Sequence, residues 1–241
     1  MNHDPMIANL DTLHVDYDGE TTFGDYTINV QRDEDPMNPR VDWDNLGTMV
    51  CWHRNYNLGD DHSYSDPDHL WHELSGLYED ELTEYLDSEQ MDRCRAATFK
   101  KYIILPLYLY DHSGITMSTT GFSCPWDSGQ VGYIYISLEQ ARKEYNWKLV
   151  TKTRRKQIEK YLTGEVEVYD HYLTGNVYGY TITKGEDEED VDSCWGFFGY
   201  YTDDNGYMIS QIKDAIKWDI KHTPQQIELP IIQPSQLEMR V

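Results

Sequence analysis

Lysine and arginine are scarce in this chain, 20 against 43 aspartates and glutamates, which gives a formal net charge of -23 and a pI near 4.5. So few cations leave little to contact phosphates, and direct binding of DNA, RNA or anionic membranes is excluded as a primary role. No run approaches the ~18 apolar residues of a membrane-spanning helix. Residues 1–11 lack the basic start and apolar middle of a secretory signal, so a cytoplasmic setting is expected. Cysteine is limited to Cys51, Cys94, Cys124 and Cys194 with no CxxC pair, which argues against a zinc site or a dithiol redox centre and predicts reduced, mostly buried thiols. A Gly-x-Ser-x-Gly elbow, a phosphate-binding glycine loop and internal repeats are also missing.

What is present is aromatic. With 39% hydrophobic residues, 20 Tyr and 7 Trp, the 241-residue chain is too rich in core-forming side chains to be a disordered acidic polymer. Alternation over 23–30 and short apolar runs at 49–52, 102–110, 115–119, 131–137, 177–183 and 194–200 read as strands. Ser65 or Asp66 followed by Pro67 starts a helix carrying Leu70, Trp71, Leu74 and Leu77, which Gly76 can break. Further helical patterns cover 79–97, 138–145, 153–173 and 208–222. Strands and helices do not alternate regularly, so the fold class is α+β: an antiparallel or mixed sheet with packed helices and an acidic helical segment near the N-terminal half. The organisation reads as an acidic region over 1–100, an α+β core over 101–222 and an extended Pro-containing tail over 223–241, or as one domain holding all three.

Charge is distributed unevenly. Residues 1–92 hold 23 acids against Arg32, Arg40 and Arg54 for a net -20, while residues 93–241 hold 20 acids against 17 bases for -3. The densest stretch contains Glu79, Asp80, Glu81, Glu84, Asp87, Glu89 and Asp92. On one continuous helix these carboxylates would span about 21 Å, one charge per ~3 Å, close to the ~3.4 Å phosphate spacing along a DNA strand. Like charges at i,i+3 and i,i+4 are destabilising, so folding stability does not favour this composition, although a solvated acidic face also aids solubility. Upstream, Asp60, Asp61, Asp66, Asp68 and Glu73 extend the candidate partner-binding surface. His62 and His69 lie among them, but the calcium-loop pattern is absent and no metal is assigned.

Two other segments carry chemistry. His112, Cys124 and Asp127 fall at strand ends and in a Gly-rich loop, a constellation that could serve a thiol nucleophile, with a hydrogen-bonded turn as the plainer reading. The stretch 142–160 holds eight bases against Glu144 and Glu159, net +6, and reads as a solvated helix face or as a surface pairing with the acidic half in a homodimer.

The strings Cys51-Trp-His-Arg-Asn-Tyr-Asn-Leu-Gly-Asp, Leu105-Pro-Leu-Tyr-Leu-Tyr-Asp-His-Ser-Gly, Cys124-Pro-Trp-Asp-Ser-Gly-Gln-Val-Gly-Tyr and Asp192-Ser-Cys-Trp-Gly-Phe resemble those of a group of uncharacterised proteins encoded by bacteriophages and mobile elements. The resemblance covers roughly residues 46–207 and brings no established chemistry with it. It implies a setting in the host bacterial cytoplasm, in which small acidic proteins act as anti-restriction or anti-CRISPR inhibitors by imitating DNA. The expectation is a counter-defence protein with no cofactor, whose partner is a basic nucleic-acid-binding nuclease complex. A small hydrolase or nucleotide-modifying enzyme built on His112, Cys124 and Asp127 is the alternative.

Overall fold

A computed structural model describes residues 5–16, 19–77, 87–199 and 206–222. Its elements are α1 (Pro5–Asn9), β1 (Gly19–Phe23), β2 (Tyr26–Arg32), β3 (Thr48–Cys51), α2 (Pro67–Ser75), α3 (Ser88–Lys101), β4 (Tyr102–Asp111), β5 (Ile115–Ser118), β6 (Ser128–Ser137), α4 (Leu138–Glu144), α5 (Lys152–Leu173), β7 (Val177–Lys184), β8 (Glu189–Phe198) and α6 (Tyr207–His222). They form two antiparallel four-stranded sheets, ordered β1-β2-β7-β8 and β3-β6-β4-β5, so the fold is α+β. Among the described residues no helix is long and apolar enough to cross a membrane. The chain divides into two compact units. Unit 1 comprises 1–31, 180–194 and 201–241; unit 2 comprises 32–179 and 195–200.

In unit 2, side-chain alternation along the strands dictates three layers. Ile103, Leu105, Leu107 and Leu109 of β4, with Ile134 and Ile136 of β6, point to the face covered by α5, whose Ile158, Leu162, Val166 and Tyr169 recur at helical spacing. The opposite face shows Ile104, Tyr133 and Tyr135 to a second cluster built from Leu70, Trp71 and Leu74 of α2 and Met91 and Cys94 of α3. Pro106 is tolerated inside β4 because β5 pairs only with Tyr108–Asp111, so no second ladder is interrupted there. Where β3 crosses β6, any side chain at Gly132 would run into the Val50 carbonyl, which leaves glycine as the residue that fits.

Local signals set the helix boundaries. Asp66 caps α2 by accepting from the His69 amide at 2.8 Å, Pro67 occupies the first turn, and Gly76 ends the helix at φ 62°. Asp87 and Gln90 form a reciprocal capping box on α3. Asp87 itself has extended backbone, φ -74° and ψ 171°, which corrects the expectation of one continuous acidic helix from 79 to 97. The earlier part of that expected helix, with Glu79, Asp80, Glu81 and Glu84, lies outside the described residues, as does the tail over 223–241. Helix α3 contains two acids and four bases, net +2, with Glu89 in its first turn and Lys100 and Lys101 in its last, the order that its macrodipole favours.

One charge cluster organises the connections of unit 2. The Arg40 side chain is 1% exposed and donates to both Asp60 oxygens (Nε–Oδ1 2.8 Å, Nη2–Oδ2 2.6 Å), to Glu165 Oε2 at 3.0 Å and to the Gly47 carbonyl at 2.7 Å. Asp60 in turn accepts from the Met49 amide, and Glu165 from the amides of Leu46 and Gly47. Burial alone would lower the Arg40 pKa, but the hydrogen bonds and charges of Asp60 and Glu165 outweigh it and leave the guanidinium pKa raised. Asp60 therefore serves as a structural counter-ion, a role its acidic neighbourhood in the sequence did not announce. Burial, reinforced by the Asp60 charge and opposed by Arg40, also pushes the Cys51 thiol up to about 12.

In unit 1, Tyr26, Ile28 and Val30 of β2 and Met208, Ile209, Ile212 and Ile216 of α6 are buried. Asp219 ties α6 to the sheet, accepting from Tyr26 Oη at 2.7 Å and Lys184 Nζ at 2.6 Å.

Adjacent aspartates 60 and 61 separate the structural role from the surface one. Asp60→Asn should lower unfolding stability by about 3–5 kcal/mol, because it leaves Arg40 buried with a broken pair, whereas exposed Asp61→Asn should stay within about 0.5 kcal/mol of the parent. Urea denaturation of the two variants checks this; equal, small effects would mean that the Arg40 cluster holds nothing in place.

Candidate functional site

Three of the sequence strings meet at one end of the β3-β6-β4-β5 sheet, where β3 and β4 leave and β6 begins. Pairing brings Asp111 beside the loop before β6, its amide donating to the Asp127 carbonyl at 2.8 Å, while the Trp52 amide reaches Val131 O at 2.7 Å. Ser113, at φ 54°, helps close the β4–β5 turn, and Ser128 Oγ donates to the Cys124 carbonyl. Aromatic and imidazole rings gather around this frame. His53 stacks on Tyr56 with centroids 4.9 Å apart, Tyr110 faces His112 at 6.0 Å and Phe122 at 5.8 Å, and the Tyr56 hydroxyl lies 3.5 Å from Asp111 Oδ1. Trp126 stands 91% exposed on the same loop.

His112, Cys124 and Asp127 are brought together here, in the order imidazole, carboxylate, thiol. Asp127 Oδ2 is 3.4 Å from His112 Nδ1 and 3.5 Å from Cys124 Sγ. Activating a thiol nucleophile calls for the imidazole beside the sulfur as proton acceptor and the carboxylate behind it; in this arrangement the carboxylate occupies the middle position. The imidazole is 64% exposed at a turn. The arrangement suits a hydrogen-bonded loop brace better than a nucleophile. Among the described residues no group of three or more His, Cys, Asp or Glu is placed to hold a metal ion.

The carboxylates proposed from sequence have separate fates. Asp60 is half-buried and paired with Arg40, while Asp66 and Asp87 are helix caps, Asp66 with its pKa lowered chiefly by the His69 amide and the Ser65 hydroxyl. Asp92 lies 3.8 Å from Arg95. Asp61, Asp68, Glu73 and Glu89 are exposed and make no ion pair among the described residues. The basic stretch approaches the same helix from its other end: Arg155 Nη2 donates to the carbonyls of Phe99 and Tyr102, and Arg154 sits 4.6 Å over the Trp147 ring. The surface of unit 2 thus carries both signs.

A denser acidic site lies at the turn end of the unit 1 sheet. The β7–β8 turn holds Glu186, Asp187 and Glu188, and β8 opens with Glu189 and Asp190, all exposed. The Gly185 amide donates to the Asp25 carbonyl at 2.9 Å, which places the β1–β2 turn alongside and adds a sixth exposed carboxylate. None of the six has an ion-pair partner among the described residues; the nearby Lys184 is committed to Asp219. The acidic run is continuous in the sequence, whereas its neighbour Asp25 is brought in only by the strand pairing. Charges on β8 also block edge-to-edge pairing of the sheet.

Thiol accessibility tests this placement. Cys51 and Cys94 are buried, Cys124 is partly exposed and Cys194 exposed, so only half of the sequence expectation of buried thiols holds. A thiol reagent at neutral pH should label Cys124 and Cys194 in the folded protein and reach Cys51 and Cys94 only after denaturation. Rapid native labelling of Cys51 would contradict its packing beneath Asp60.

No family model matches the chain, and no curated protein or solved structure matches it.

Proposed function

We propose that this protein is a non-enzymatic, phage-type counter-defence factor that binds a basic nucleic-acid-handling protein, such as a host restriction or CRISPR nuclease complex, by presenting carboxylates where that partner would receive phosphates. The observation that carries the reading is the set of six exposed, unpaired carboxylates at one sheet end, Asp25 and Glu186 to Asp190. Five acids in a row on a tight turn and the strand start concentrate negative charge in one small area, the kind of surface that a phosphate-binding cleft attracts. A surface of one sign attracts a Lys- and Arg-lined cleft at long range and loses that attraction as salt rises. Asp61, Asp68, Glu73 and Glu89 supply a second acidic surface, diluted by Arg93, Arg95 and the basic stretch of unit 2.

The enzyme alternative draws on the contacts of Asp127 with His112 and Cys124. Cys124→Ser separates the two readings: a folded variant with unchanged biological effect excludes the nucleophile.

The acidic reading is tested by replacing Glu186, Asp187, Glu189 and Asp190 with Gln or Asn. The variant should melt no lower than the parent, since repulsion is relieved, and should bind a basic nuclease target captured from bacterial lysate at low salt about tenfold more weakly, a loss of ~1.4 kcal/mol. A matched variant neutralised at Asp61, Asp68, Glu73 and Glu89 should lose less. Unchanged capture by both variants would remove the electrostatic basis of the proposal.

A further inference from the structure

We infer that unit 2 carries a binding cleft for a single ammonium or guanidinium group, separate from the acidic sheet end of the proposed function. The cleft has a volume of about 370 Å³ and lies between β5 with the loop after it and the outer face of α5. Met117 and Val166 form its apolar floor, and Phe122 stands at its side. Its size is at the lower end for ligand pockets, suited to one small group.

The polar lining determines which group. Two carboxylates, Glu167 and Asp170, face no lysine or arginine among the lining residues. Asp170 is preorganised: its Oδ1 accepts both the Met117 amide at 2.6 Å and the Thr116 hydroxyl at 2.9 Å, which leaves Oδ2 without a hydrogen bond among the described residues. The hydroxyls follow the same logic. Thr116 has spent its one hydrogen on Asp170, and Thr163 has donated its own to the Glu159 carbonyl at 3.0 Å, so both offer only acceptor lone pairs to the cleft. Glu167 is exposed and has no ion-pair partner among the described residues. Ser118, Thr119 and His171 complete the lining, with Ser118 Oγ paired to Thr120 Oγ1 at 3.0 Å and the His171 Nδ1 3.0 Å from the Asn176 side-chain amide. The two carboxylates and the two acceptor-only hydroxyls suit a cation with several N–H donors. The aromatic face of Phe122 adds to that preference. An anion, or a cation without N–H groups, lacks this complementarity.

The test titrates the full chain, at constant ionic strength, with ethylammonium, ethylguanidinium and tetraethylammonium, following backbone amide resonances over 116–122 and 163–171. The first two should give saturable shifts centred on Met117, and tetraethylammonium, which has the charge but no N–H donor, should not. Glu167→Gln should weaken binding about two- to fivefold, the range of an exposed ion pair, with an unchanged circular dichroism spectrum. The variant neutralised at Glu186, Asp187, Glu189 and Asp190 should bind the probes like the parent, so the cleft and the acidic sheet end can fail independently. Comparison of spermidine with blocked lysine and arginine amides identifies the source, a free polyamine or a partner's side chain, by whichever binds more tightly. Absence of saturable shifts, an equal response to tetraethylammonium, or full affinity in Glu167→Gln would overturn the inference.

Discussion

Arg40 is a cation held almost entirely out of water, and much of unit 2 is arranged to keep it satisfied. Its guanidinium cannot be deprotonated away, and four of its five N–H donors turn toward acceptors supplied by chain segments far apart in sequence: Asp60 after β3, Glu165 on α5 and the Gly47 carbonyl. Two carboxylates around one guanidinium leave an excess negative charge, which the amides of Leu46, Gly47 and Met49 absorb. The cluster thereby fixes the entry to β3, the return of the loop before α2 and the position of α5 against the sheet. A buried pair of this kind contributes more to specifying one arrangement than to net stability, since well-packed apolar residues of similar volume could do as well energetically.

That constraint has a functional consequence. By fixing the loop after β3, it presents His53 and Tyr56 beside Asp111 and the Trp126 loop, so the distinctive sequence strings are gathered as one structured end of a sheet. The same cluster neutralises much of the Asp60 charge by pairing it with Arg40. Asp66 and Asp87 stay exposed but spend one carboxylate oxygen each on a helix-start amide. The acids that meet neither a cap nor a counter-ion among the described residues are concentrated at the turn end of unit 1.

Much of the fold was legible in the sequence where one residue carries a sharp local meaning. Asp66-Pro67 and Gly76 bracket α2, the apolar spacing of Ile158, Leu162 and Val166 marks the buried face of α5, and the β4 and β6 runs alternate between two cores. The expectation of one acidic helix through 79–97 failed at Asp87 because composition does not distinguish a capping carboxylate from a helical one; the reciprocal partner Gln90 was the missed signal. The 23–30 stretch became the turn and second strand of a hairpin, with Gly24 at φ 59° where one continuous strand was read. Asp60 illustrates the deeper limit. Its exposed-looking acidic neighbourhood gives no hint of Arg40 twenty residues earlier or Glu165 a hundred residues later, since ion pairs closed by tertiary packing leave no local pattern. The cleft beside α5 was hidden for the same reason, as Thr116 and Asp170 become partners only once β5 lies against the helix.

Direct competition tests the central claim, that acidic groups occupy a site meant for phosphates. With the nuclease target purified, a fluorescent double-stranded oligonucleotide bound to it should be displaced by this protein in a single competitive curve. The apparent inhibition constant should rise in proportion to the oligonucleotide concentration, and both associations should weaken steeply with added salt. Formation of a ternary complex, with target, oligonucleotide and protein bound together and affinity indifferent to salt, would contradict the account.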